Sequence, residues 1–195
     1  MKIRFTKTIS DYFNRILYFF YLLYAQCRYG SNIRLIALTR NKFAIVDAED
    51  FERLKEFNWM ARYSSLTWYA VRCARVSEKR ERKLVWMHNV ILPPTEGKMV
   101  DHFNHNGLDN RKTNLRIATR GQNRCNCRKN KGCSSKYKGV CFHKNSRRQK
   151  QWDSYINVNG RRISLGDYKT EIEAARAYDV AARKYHGEFA GLNFR

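Results

Sequence analysis

The chain predicts an α+β protein made of two folded units, and three observations carry that expectation. Apolar residues recur with period two along some short runs and with helical spacing along others, in mixed order. Hydrophobic residues are 43% and aromatic residues 14% of the 195 positions, which suits packed cores rather than a disordered basic tail. Finally, residues 124–135 hold Arg124, Arg128, Lys129 and Lys131 and no acidic residue, the texture of a basic linker between folded parts. The expected organisation is an appended apolar segment at 1–30, one unit at 33–130 and a second at 131–195.

Charge narrows the partners. Lysine and arginine number 39 against 17 acidic residues, a formal net charge of +22. Such a surplus repels itself in a compact fold unless it faces a polyanion; nucleic acid is the leading candidate because phosphate neutralisation releases counterions, and a membrane surface is the second. Single-stranded RNA recognition leans on exposed stacking aromatics, whereas the tyrosines here fall mostly at core-periodic positions. No small-molecule cofactor motif is evident.

Taken in order, the first element is an apolar run at 16–25 bounded by Arg15 and Arg28. Ten residues fall short of the ~20 that a bilayer needs, and no small-x-small cleavage site follows. The expectation is an appended helix, with no membrane anchoring and a cytoplasmic location. Leu35-Ile36-Ala37-Leu38 and Phe43-Ala44-Ile45-Val46 read as paired strands across a polar turn, and Asp47 as the N-cap of a helix bearing Phe51, Leu54 and Phe57. Residues 68–73 and 84–86 read as strands, and 87–92 as a short helix stopped by Pro93-Pro94. His88 lies among apolar neighbours and reads as a packing residue.

Met99-Val100 then leads into Asp101-His102, an Asn/Asp/Gly-rich loop, a second apolar run at 115–118 and a helix start, where Thr119 and Gln122 have capping-box spacing. On such a strand–loop–strand–helix unit the Asp101 carboxylate, the His102 imidazole and the Asn123 amide can converge. A carboxylate and an amide oxygen suit a hard divalent cation, and an adjacent imidazole suits a general base. By itself the Asp-His pair reads first as an incidental part of an ordinary polar loop, and only its context favours a site.

Beyond the linker, residues 137–143, 151–158 and 161–165 alternate as three half-buried strands, with Asn159-Gly160 as a tight hairpin turn. Thr170 and Glu173 form a second capping box before a helix with Ile172, Ala175, Tyr178, Ala182 and Tyr185 at helical spacing. One sheet face is covered by this helix. The other carries Lys138, His143, Lys150 and Arg162, and a sheet of this kind can enter a major groove.

Six cysteines are present, four of them between Cys125 and Cys141. Cys125, Cys127, Cys133 and Cys141 are spaced C-x-C, then five, then seven residues, which departs from C-x2-C to C-x4-C pairs and argues against structural zinc in favour of unpaired thiols.

Two motif sets are familiar. Asp101-His102, Asn106-Gly107-Leu108-Asp109-Asn110-Arg111, Thr113-Asn114-Leu115-Arg116, Ala118-Thr119 and Gln122-Asn123 resemble HNH nucleases of the homing-endonuclease type, which share a ββα-metal fold. Ser135-Lys136-Tyr137-Lys138-Gly139-Val140, Trp152, Leu165-Gly166, Glu173-Ala174-Ala175, Ala177-Tyr178-Asp179 and Leu192-Asn193-Phe194 resemble the Apetala/ethylene-response-factor DNA-binding domain. The resemblance covers about residues 33–195 and implies a DNA endonuclease of a phage or mobile element. The implied parts are His102 as general base, Asp101 and Asn123 as ligands of one divalent ion (Mg²⁺, with Mn²⁺ as substitute), and Asn114 holding the loop. From the charge of the linker, Arg124, Arg128 and Lys129 would join the four basic sheet residues on DNA; Arg116 reads first as a salt-bridged strand arginine and second as a phosphate contact. His105 stands where that family usually has glycine, and Cys141, Asn157 and Ser164 stand where plant relatives contact bases. The competing expectation is a non-catalytic DNA-binding regulator.

Overall fold

A computed structural model of the protein describes residues 9–75, 81–127, 129, 132–144, 149 and 151–194, with side chains from residue 16 onward. Arg128 and Lys150, both expected on DNA, lie outside the described residues, as does Lys131. The elements are mixed helix and strand, with antiparallel sheets. Packing divides the chain into two compact units, one of residues 1–95 and 106–117, the other of residues 96–105 and 118–195.

In the first unit, helix α1 (Ile9–Tyr29) is the appended apolar segment, longer than its apolar run at both ends. It buries Ala25, with Tyr18, Tyr21, Leu22 and Tyr29 packed on Ile33, Leu35 and Ile45. Phe19, Phe20 and Tyr24 stay exposed on it. Among the described residues no helix is long and apolar enough to cross a membrane. Strands β1 (Ile33–Leu38) and β2 (Lys42–Asp47) form an antiparallel hairpin in which Leu38 pairs with Lys42 across a three-residue connection, Thr39-Arg40-Asn41, whose Arg40 and Asn41 both have positive φ. Helix α2 (Ala48–Lys55) starts after Asp47 and buries Leu54. The Asp47 side chain does not cap it: its Oδ2 accepts from the Lys112 amide at 2.7 Å. Phe57 stands beyond the end of α2, exposed, under the Arg72 guanidinium at 4.1 Å from its centroid.

Strands β3 (Met60–Ser64), β4 (Thr67–Arg75) and β5 (Arg82–Trp86) form a second antiparallel sheet, followed by the short helix α3 (Met87–Ile91). His88 on α3 is buried against the Tyr69 and Trp86 rings, with centroids 5.8 Å and 5.6 Å away, in keeping with a packing histidine.

The second unit begins with β6 (Met99–His102). Residues 115–117 of strand β7 (Leu115–Ala118) belong to the first unit, and the second resumes at Ala118 with helix α4 (Arg120–Asn126) behind a complete Thr119–Gln122 capping box. Strands β8 (Val140–Phe142), β9 (Trp152–Val158) and β10 (Arg161–Tyr168) form one antiparallel sheet in the order β10-β9-β8. Helix α5 (Glu171–His186) starts at a capping box of Thr170 and Glu173 and covers one face of it. Tyr178, Ala181 and Ala182 meet Ile156, and Ala174 and Ala175 meet Val140. The small alanines let helix and sheet approach closely.

β3 was not expected at all, and two strands of the β10-β9-β8 sheet differ in length from expectation. β8 is shorter than 137–143 because Gly139 has φ +73° and a Cβ there would strike the Tyr178 ring and the Tyr155 carbonyl. β10 runs on to Tyr168 past a register shift between Ser164 and Gly166.

Candidate functional site

The Asn/Asp/Gly-rich loop is held from within the first unit. Its backbone docks on β2: Ile45 N donates to the Leu108 carbonyl and Asn110 N to the Ile45 carbonyl, both at 2.8 Å. Gly107 is required by close approach, since a Cβ there would lie 2.5 Å from the Trp68 carbonyl and the Tyr69 ring. Asp109 is fully buried and takes both arms of the Arg111 guanidinium at 2.8 Å, and that guanidinium lies 3.8 Å from the Tyr29 ring centroid. Its charge-assisted pair with Asp109 raises the Arg111 pKa further. Asn114 is buried and donates through Nδ2 to the Asp109 carbonyl at 2.7 Å. Arg116 sits half-buried on β7.

In the second unit Asp101 and His102 end β6, each 6% exposed. The chain turns immediately: His105 N donates to the His102 carbonyl at 3.0 Å, and His105 has φ +61°. From α4, the Nδ2 of Asn126 donates to both Asp101 carboxylate oxygens, at 3.1 Å and 3.0 Å, and approaches the His102 carbonyl at 3.2 Å. Asn126 is 2% exposed. Sequence reasoning missed it, although its spacing of three from Asn123 places both amides on one helical face. Asn123 is half-buried, its Nδ2 3.2 Å from the Met99 sulfur. A buried carboxylate fixed beside an imidazole-bearing residue, with two carboxamides on the adjoining helix, is a donor set that fits a hard divalent cation.

The basic residues divide by what their charges touch. Arg124 is exposed on α4. Lys129 Nζ donates to the carbonyls of Tyr137 and Val140, and Lys138 Nζ to those of Cys125 and Cys127. Burial lowers the Lys138 pKa. Both ammonium groups thus tie the segment after α4 to the sheet unit. On the open sheet face, Arg162 Nη2 lies 3.2 Å and His143 Nε2 3.5 Å from Asp153 Oδ2, and the Arg162 guanidinium stacks 3.6 Å from the Tyr155 ring centroid.

Cys125 Sγ lies 3.4 Å from His186 Nδ1; burial raises the thiol pKa and lowers that of the imidazole. Cys125, Cys127 and Cys133 line an open cleft of about 1010 Å³ with Lys138, Tyr178 and His186. Among the described residues, three ligand atoms drawn from His, Cys, Asp and Glu side chains alone gather at Asp47, Glu49 and Asp50. That cluster is met by cations of the chain itself: Lys112 Nζ is 2.6 Å from Glu49 and 3.6 Å from Asp50, and Arg53 is 2.6 Å from Asp50.

Comparison with known proteins adds two findings. Residues 135–188 match the AP2 domain family. Over 61 residues the chain is 46% identical to APETALA2-like protein 2 of rice and to an AP2-like ethylene-responsive transcription factor of Arabidopsis thaliana. Those matches cover 31% of this chain but only 13% and 12% of the plant proteins. Over 164 residues it is 30% identical to an uncharacterised HNH endonuclease of Acanthamoeba polyphaga mimivirus, covering 82% of this chain and 79% of that protein.

Proposed function

Because the chain belongs to the HNH endonuclease family and carries an AP2 domain at residues 135–188, we propose that it is a metal-dependent endonuclease of double-stranded DNA, of the homing type found in mobile elements. The observation that carries this reading is the buried Asp101-His102 end of β6, whose carboxylate is fixed by an amide of α4. In the ββα-metal arrangement this implies, residues 33–130 form the nuclease part and 131–195 the DNA-binding part.

Phosphodiester hydrolysis needs an activated water, relief of charge building on the phosphate, and a stabilised leaving oxygen. His102 accepts the proton of the attacking water at its imidazole. Asp101 and Asn123 would hold the divalent ion, which would supply neutralisation of charge on the scissile phosphate; Mg²⁺ is the ion we assign, with Mn²⁺ as substitute. Asn114 keeps the loop in shape through the Asp109 carbonyl. Arg116, Arg124, His143 and Arg162 meet the DNA, steered there by the +22 net charge. Lys129 and Lys138 serve the DNA interface indirectly, by fixing the segment that leads into the sheet.

The test is cleavage of supercoiled plasmid with Mg²⁺ and with chelator. Cleavage should need the metal, and His102→Ala should lower its rate by about 10²–10⁴-fold while DNA binding persists. Undiminished cleavage by His102→Ala removes the catalytic assignment. One observation favours a second reading, a non-catalytic DNA-binding protein: His102 is only 6% exposed, and a general base must reach water. No cleavage under any divalent metal, with DNA binding intact, would select that reading.

A further inference from the structure

Helix α4 presents two carboxamides one turn apart, and their surroundings differ. Asn123 is half-buried beside the Met99 sulfur. Asn126, the last residue of α4, is 2% exposed and spends its amide hydrogens on Asp101 and His102. Its Nδ2 bridges the two carboxylate oxygens almost evenly, at 3.1 Å and 3.0 Å, so it restrains rotation of the Asp101 carboxyl plane. Through the His102 carbonyl it also restrains the backbone that carries the imidazole.

A purely structural asparagine at a helix end satisfies both halves of its amide. Asn126 does not: among the described residues its buried Oδ1 has no hydrogen-bond partner. The side chain is therefore placed for what its nitrogen does to Asp101, not for its own satisfaction. Ligands of metal ions are commonly oriented by such partners behind them, and loss of the partner weakens binding without removing a ligand.

We propose that Asn126 is the positioning residue of the Asp101-His102 pair, setting the carboxylate in the orientation that accepts a divalent cation and acting through Asp101 rather than on DNA. This rests on the metal-dependent reading of the site, and its test reads metal binding rather than cleavage. Mn²⁺ serves as the probe, titrated by electron paramagnetic resonance into the full chain without DNA. Circular dichroism and thermal unfolding are followed in Mn²⁺ and in chelator.

Wild-type protein should bind Mn²⁺, and Asn126→Ala should weaken that binding by about 10–100-fold with the circular dichroism spectrum kept. Asn126→Asp sets a second carboxylate against Asp101, so it should unfold earlier in chelator and recover with Mn²⁺, giving a larger Mn²⁺-linked rise in Tm than wild type. If Asn126→Ala fails to fold, the Asn126→Asp comparison decides. Wild-type Mn²⁺ affinity in Asn126→Ala, or no larger Mn²⁺-linked shift in Asn126→Asp, overturns the positioning role and leaves the metal reading standing. No Mn²⁺ binding by wild-type protein overturns both.

Discussion

His105 carries the clearest backbone strain beside the proposed site. Its φ of +61° puts a side-chain-bearing residue in the left-handed region, three residues after His102 and with its amide bonded to the His102 carbonyl. The left-handed conformation costs an L-residue roughly 1–2 kcal/mol, of which glycine recovers part after its larger loss of chain entropy. His105→Gly should therefore stabilise the protein by about 0.5–1 kcal/mol, read from urea unfolding. A loss of stability instead would show that contacts of the imidazole outweigh the strain. The glycine usual at this position in the resembling nucleases made the strain legible from sequence, but the sign of φ needed the backbone itself. For Asn126 the spacing of three from Asn123 was legible but its bonds were not, because they exist only where β6 and α4 pack together. The backbone partners of Lys129 and Lys138 were hidden for a related reason. A sequence gives the charge, while the fold decides that both ammonium groups end on backbone carbonyls.

Among the elements, α4 is the one on which the proposed chemistry depends most and which has the least strength of its own. At seven residues it is well below the ~12–15 that give even a marginal isolated helix in water, so its ends must be fixed from outside. The N-terminus is fixed by the reciprocal bonds of Thr119 and Gln122, at 3.2 Å and 2.8 Å. Thr119→Ala should cost about 1 kcal/mol of stability in thermal or denaturant unfolding. A change near zero would mean that the tertiary contacts of α4 hold it without the cap. This box, the second box at Thr170, the Asn159-Gly160 hairpin and the alanine face of α5 were all legible because each is a local signal repeated by its own geometry. β3 was not, since only Ala61 of its five residues is buried and no alternation announces it. The longer β10 was hidden by Gly166, which breaks the alternation at the register shift.

For the whole molecule, the division by packing bears on how DNA affinity can be tested. The strand bearing Asp101-His102 and helix α4 belong to the same compact unit as the AP2 domain. Within that unit the Cys125 carbonyl at the end of α4 accepts from Lys138 Nζ and from Gly191 N. Deleting residues 135–195 would therefore remove both a DNA-binding surface and the C-terminal bonds of the helix that carries Asn123 and Asn126. Lost cleavage in such a truncation could come from either. A substitution on the open sheet face separates them. Arg162 is exposed there, with its guanidinium stacked on Tyr155 and paired with Asp153, so it is oriented without being buried. An ion pair this exposed contributes little to stability, and Arg162→Ala should leave Mn²⁺ binding and Tm nearly unchanged. It should weaken binding to duplex DNA and lower the slope of log affinity against log salt by about one, the loss expected for one phosphate contact. An unaltered salt slope would mean that Arg162 stays on Asp153 in the complex, and that the net charge of the chain meets DNA through other residues.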